Sequence, residues 1–372
     1  MKNIIYILIF FPSILLCQDF SVGTWREHLP YKNVKYVAKM SNKYYGSTEH
    51  SVYYLDKDDN SLNRLNTITG LTELGVSLIH PNENNNTIVI GYKSGNLDLI
   101  VEDEIINISA ILNSNIIGDK TIYSMATKGD LTYIATGFGI VVLDLRKQEI
   151  ADTYIIGSGG SQIKINDITF ANGYIYAATD NGIYYALESE PFLSDFTNWN
   201  ILNCPLSSSN TFQVIEYFAA KNCLLLLEQN SQFKDDVIYV YKNNNWSILN
   251  QLDSNDVYSI EHKENNIVVS LNYSVLVLDT AFNTIDNIYT YNGNSNVNPN
   301  HCIWAEDTYI IADRKKGISS AIDNWKTENY TITGPYTNEA FHLECSNDVL
   351  WVSAGRTEGA TIWNNTYNWR GV

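Results

Sequence analysis

The chain has 372 residues, a net charge of -17 and a pI near 4.7. Nucleic-acid binders gather Lys and Arg against phosphate backbones, so this balance argues against a nucleic-acid partner; a strongly acidic surface mainly keeps a protein soluble. At this length there is material for one large β domain or two smaller ones.

Residues 1–17, MKNIIYILIFFPSILLC, hold one lysine, an apolar run and no acidic side chain. That is the layout of a secretory signal peptide, so the mature chain is expected to be exported. Cys17 raises the question of lipidation, but Leu16 stands where a small residue is wanted, and plain cleavage near Gln18 is expected instead. No later window is apolar for long enough to span a membrane. Four cysteines remain after processing: Cys204, Cys223, Cys302 and Cys345. They permit three pairings, and they serve equally well as small buried hydrophobes.

Further along, the acidic stretch from Asp56 to Ser61 looks like the first half of a calcium loop. Ser61 stands where that loop requires glycine and Thr67 where it requires glutamate, which leaves a solvated turn. The stretch YIATGFGIVVLDL (133–145) sets the theme of the chain: an apolar run, a glycine break, a second apolar run. IYAATDNGIYYAL (175–187) repeats it. Aligned turns fall at Ser51, Gly95, Gly139, Gly182, Ser274, Gly317 and Gly359, mostly 42 to 44 residues apart. One double interval, between Gly182 and Ser274, holds a further unit at 224–242, which makes eight. A period in the low forties with strand-rich units is the signature of β-propeller blades.

One unit resolves into four strands: IYSMAT (122–127), LTYIAT (131–136), IVVLDL (140–145) and IADTYIIG (150–157). Gly95, Gly139, Gly182, Gly317 and Gly359 are read as structural turn glycines, because a tight hairpin needs positive φ. Uninterrupted runs such as Ile140-Val141-Val142-Leu143 indicate strands buried on both faces, as in stacked blades. Gly157 to Gly160 opens no helix and reads as a connector. Trp199, Trp246, Trp325 and Trp369 recur after hairpins. Trp25 has a similar context, which makes the N-terminal segment either an outer strand lent to another blade or a cover for the first one. The fold expectation is therefore all-β: about eight four-stranded antiparallel blades, forming pieces of two propellers or an incompletely closed ring. The Pro- and Ser-containing stretch between Ala186 and Phe212 marks the expected division, with blades in 18–200 and a truncated second propeller in 201–372.

No catalytic motif appears: there is no nucleophile elbow, phosphate loop or zinc-binding His-Glu-x-x-His. No cofactor or metal ligand set is expected. His301 and His342 fall at matching places in consecutive units, which reads as a repeated structural residue. Arg314-Lys315-Lys316 is the compact basic cluster of an acidic chain, placed on a hairpin turn, and is a candidate contact for an anionic ligand as well as an ordinary solvated turn. The 26 tyrosines fit both strand packing and rim stacking on sugars or proteins.

Several stretches carry a family resemblance: GTWREHLPY (23–31), NTITGLTELGVSLI (66–79), TIVIGYKSGNLDLI (87–100), ATGFGIVVLDL (135–145), IADTYIIG (150–157) and YAATDNGIY (176–184). In order and content they resemble the N-terminal propeller of the PorZ family, accessory proteins of the type IX secretion system. Beyond Leu187 only a generic propeller repeat persists, similar to those in sensor domains of two-component regulators. The resemblance implies a non-enzymatic scaffold at the cell surface or outer membrane. It would work with the sortase PorU and other secretion components, and would present anionic lipopolysaccharide. That family carries two seven-bladed propellers and a C-terminal sorting domain, whereas this sequence stops at Val372, which raises a fragment or a shortened relative. The alternative function is a periplasmic ligand-sensing propeller; a glycan hydrolase or lyase ranks below both.

Overall fold

The computed structural model describes residues 27, 29–102, 104–230, 236–249, 256–332, 334, 340–346, 349–354, 356–358 and 362–364. The expected signal peptide, Cys17, Trp25, Trp369 and Gly359 lie outside them.

Four-stranded antiparallel sheets follow one another at 36–65, 76–108, 122–154, 165–202, 214–248, 257–288 and 299–330, here blades 1 to 7. Within each blade the strands lie in chain order, so every connection is a hairpin. Blade 3 comprises Ile122–Lys128, Leu131–Thr136, Ile140–Asp144 and Glu149–Tyr154. Its third strand is buried along Ile140 to Leu143, as a strand pressed between neighbouring sheets must be. The fourth strands are the exposed ones, and they carry the polar residues.

The first strands of consecutive blades pack side by side around one axis, and blade 7 packs against blade 1. The ring is closed with seven blades, which corrects the expectation of about eight blades in an open ring or in pieces of two. The eighth unit begins as hairpins at 340–354 and 356–364, after the ring is complete. The division expected near residue 200 falls inside blade 4, whose last strand is Asn200–Leu202. The extra length there is a loop anchored by Trp199, which is buried beside Tyr154 and donates its indole N–H to Leu193 O at 2.8 Å.

Closure uses no shared strand among the described residues: blades 1 and 7 each take all four strands from their own segment. Instead, the N-terminal flank wedges into the seam. Lys32 O accepts from Gly317 N at 3.0 Å, and Val34 N donates to Asp313 O at 3.1 Å. Tyr31 and Val34 are buried with Tyr53, Ile310, Ile318 and Ile332. The Tyr53 hydroxyl bridges the two blades, accepting from Ile318 N at 2.7 Å and donating to Tyr330 O at 3.0 Å. Gly46 leaves room for this packing, since a Cβ there would lie 2.6 Å from Ile318 Cγ1.

Two further regularities set the inner geometry. In blades 2, 3, 4, 6 and 7 the first strand carries a bulge near its start, leaving Ser77, Tyr123, Asn166, Tyr258 and Asn300 unpaired in the ladder. Opposite the next residue, the second strand offers a small side chain: Ser47, Gly91, Ala135, Ala178, Ser270 and Ala312, with Leu227 the exception in blade 5. Radial sheets converge toward an axis, so bulk must shrink there. At Gly91 a Cβ would lie 2.9 Å from both Ile122 Cγ2 and Met125 Cε of blade 3.

Cys204, Cys223, Cys302 and Cys345 are all free thiols. The first three are buried in the blades as small apolar groups, and Cys345 is exposed.

Candidate functional site

The first strands enclose an axial cavity of about 790 Å³. The residue after each bulge, with the corresponding residue of blade 1, points along this wall: Tyr36, Leu78, Ser124, Asp167, Ser259 and His301. Polar side chains here join neighbouring blades. His80 Nε2 meets Thr127 Oγ1 at 2.9 Å across blades 2 and 3. Asp167 accepts from Ser124 of blade 3 and, at 2.9 Å, from Ile215 N of blade 5. His262 Nδ1 hydrogen-bonds Glu216 across blades 5 and 6. His301 Nε2 lies 2.9 Å from Glu261 of blade 6, while its Nδ1 accepts from Val37 N of blade 1 at 3.4 Å. That pair of contacts fixes the Nε2–H tautomer of His301. At the lower rim Lys39 and Lys57 of blade 1 hold Glu306 of blade 7, and they depress its carboxyl to about 2. The result is a nearly continuous polar belt.

Enclosure in this belt shifts its ionisations. Burial pushes the Asp167 carboxyl up to about 7, against the opposing effect of the Ser124 and Ile215 donors. Burial also lowers His80 to about 4, and the hydrogen bond to Glu216 raises His262. A carboxyl that is raised in the fold adds stability that is complete at low pH and is lost as pH climbs through the folded value. Asp167 therefore disfavours the ring progressively from about pH 4 to 7. His80, depressed in the fold, works in the opposite sense, its contribution being complete above pH 6.5 and lost as pH falls toward 4. Single variants separate the two. Asp167→Asn is expected to gain stability relative to the parent as pH rises from 4 to 7; a melting-temperature difference that stays flat over that range contradicts the assignment.

The acids and imidazoles named in the belt each hold a hydrogen-bond or ion-pair partner. No group of three His, Cys, Asp or Glu with metal-binding geometry exists among the described residues. His301 thus holds blades together, and His342 follows an equivalent register shift in the eighth unit.

The mouth above the belt is formed by the hairpins joining second and third strands and by the lead-ins to the first strands. Of the turn glycines, Gly95, Gly182 and Gly317 have φ of +87°, +106° and +78°, and Gly139 has +156°. Arg314 leans across to blade 6, where its Nη2 donates to the Asn272 carbonyl and, at 2.9 Å, to Asn272 Oδ1; the guanidinium sits 4.3 Å from the Tyr258 ring centroid. Lys315 and Lys316 present backbone N–H groups to Asp313 Oδ1 at 2.7 and 2.9 Å, so the basic turn is shaped by that buried carboxylate. Lys35, which the sequence did not single out, stands half-buried on the lead-in to blade 1, near Arg314, Lys93 and Glu49. Lys93 pairs with Glu49 at 2.6 Å. Asp119 and Asp180 lie on the opposite side of the mouth, at blades 3 and 4.

No helix among the described residues is long and apolar enough to cross a membrane. Residues 44–200 match the family described as the PorZ N-terminal β-propeller domain of the type IX secretion system. No curated protein matches the sequence. Among solved structures, PorZ of Porphyromonas gingivalis is similar over 90% of this chain and 43% of its own, with 19% identity and a TM-score of 0.72. It is described as an essential bacterial surface component of that system. The Myceliophthora thermophila Cps50 (Swd1) β-propeller domain gives a TM-score of 0.56 at 8% identity, covering 82% of this chain and 99% of its own. The computationally designed Ika8 protein gives 0.53 at 11% identity, covering 87% and 94%. This chain spans less than half the length of the PorZ protein it matches. Over residues 44–200 the resemblance read from the sequence holds: that stretch matches the PorZ N-terminal β-propeller family, and the fold is that of the PorZ propeller.

Proposed function

We propose that this protein is a non-catalytic binding and scaffolding component of the type IX attachment machinery, exported to the cell surface. There it engages a sortase-type surface protein and presents anionic lipopolysaccharide to it. The carrying observation is the PorZ-domain match over 44–200 together with a closed ring whose axial acids and imidazoles are engaged with one another across the blades. Such a wall holds a rigid platform and leaves the mouth and rims for partners. Deleting the gene is expected to cut surface attachment of secreted cargo several-fold, with cargo released unlinked into the medium. Attachment that persists at parental levels in the deletion strain removes this reading.

A further inference from the structure

The seam side of the mouth gathers cations in a chain that carries a net charge of -17. Lys35, Arg314 and Lys93 come from the lead-in to blade 1 and from the second-to-third-strand hairpins of blades 7 and 2. The backbone pins the group together. Lys35 N donates to Ser47 O at 2.7 Å, Val34 N to Asp313 O, Arg314 N to Asn298 O at 2.9 Å and Lys93 N to Gly75 O at 3.0 Å. Asn300, the bulged residue of blade 7, donates to Val34 O at 2.6 Å.

The three cations are not equally committed. Lys93 is neutralised by Glu49. Arg314 uses Nη2 on Asn272 and rests on Tyr258, an arrangement that fixes the guanidinium plane and leaves its other N–H groups without a partner among the described residues. Lys35 has no side-chain hydrogen bond or ion pair among the described residues, although it is half-buried. Burial lowers its ammonium pKa; Glu49 opposes that effect, while Arg314 and Lys93 add to it. Asp313, the buried acid of the same hairpin as Arg314, spends both oxygens on Tyr291, Asn298, Lys315 and Lys316. Three cations held close with one carboxylate among them repel, and a bound anion relieves that repulsion. A planar fork beside a point charge is the arrangement that grips a phosphoryl group, by directional hydrogen bonds from one side and Coulomb attraction from the other.

We propose that the seam side of the mouth is a phosphoryl-binding site, with Arg314 supplying directional donors and Lys35 the neutralising charge. The site recentres the basic cluster of the sequence: Arg314 is in it, Lys35 replaces the exposed Lys315 as its second cation, and Lys316 shapes the turn. The inference deepens the reading of the protein as a binder of an anionic glycan, and the phosphoryl group could be carried by a soluble sugar or by a membrane surface.

The full chain is titrated with glucose 1-phosphate by calorimetry, with glucose as the uncharged control. In parallel it is floated with phosphatidylcholine vesicles with and without phosphatidic acid. Binding of either probe is expected, weakened at least tenfold in Lys35→Gln and in Arg314→Gln and unchanged in Lys147→Gln on the outer side of blade 3. A sugar-only or vesicle-only response identifies the carrier, and both support the site. Lys35→Gln removes no hydrogen bond among the described residues, so it keeps the test informative even where Arg314→Gln loosens the seam. Absence of binding to both probes, or binding that Lys35→Gln leaves intact, overturns the proposal. Neither result touches the attachment phenotype, and normal attachment after gene deletion would leave phosphoryl binding standing.

Discussion

Tyr53→Ala is expected to lower the unfolding free energy by about 3–5 kcal/mol, the loss that follows deletion of a fully buried aromatic ring. Tyr53 is completely buried, packs edge-on against Tyr31 with centroids 5.6 Å apart, and bonds the backbone of blade 7 at two points. Tyr53→Phe keeps the ring but orphans Ile318 N–H in the interior, at a cost of about 1–3 kcal/mol. Urea unfolding of the parent and both variants checks this order. Because the seam is closed by side chains and a wedged flank, the alanine variant should also be cut by protease within 29–35 at concentrations that leave the parent whole. If Tyr53→Ala unfolds at the parental urea concentration, the seam is not what holds the ring shut.

The second large effect is expected at Gly139. An added Cβ would lie 2.2 Å from the carbonyl oxygen of Tyr154, in a backbone conformation that L side chains seldom adopt. The hairpin and the outer strand cannot both stay in place, and Gly139→Ala should cost about 3 kcal/mol or more from combined crowding and strain. Gly129, in the first hairpin of the same blade, has φ of +59° and nothing within 4 Å of an added Cβ. Gly129→Ala should cost only the intrinsic left-handed penalty, about 1–2 kcal/mol. Equal costs for the two would show that backbone dihedral alone, and not close approach, governs the turn.

That contrast shows what the sequence could and could not convey. The glycine at each turn and the uninterrupted runs after it were legible because they repeat, and each reflects a local constraint: a positive φ or a strand covered on both faces. The number of blades in the ring was not. Repeats count units, whereas closure depends on how far each blade turns from the last. Near the axis that turn is set by bulges at Tyr123 or Asn300 and by small residues such as Gly91 and Ala135, none of which alters the repeat length. The eighth unit therefore looked like one more blade.

The polar belt was hidden for a different reason. Glu261 and His301 lie in different repeats; the repeated position marked His301 as structural, but nothing marked its partner, and the two meet because consecutive first strands stand side by side. Lys35 was silent too, since a lone lysine before a strand has no pattern. The one available signal was the basic run at 314–316, which marks the hairpin of the proposed site and leaves out Lys35.

The wedge at the seam has a consequence for how this unit can be mounted. Tyr31 and Ile332 share one buried cluster, so the polypeptide arrives at and departs from the ring at a single point on its circumference. A disc entered and left at one point can be spliced into a longer chain there, like a bead on a short stalk.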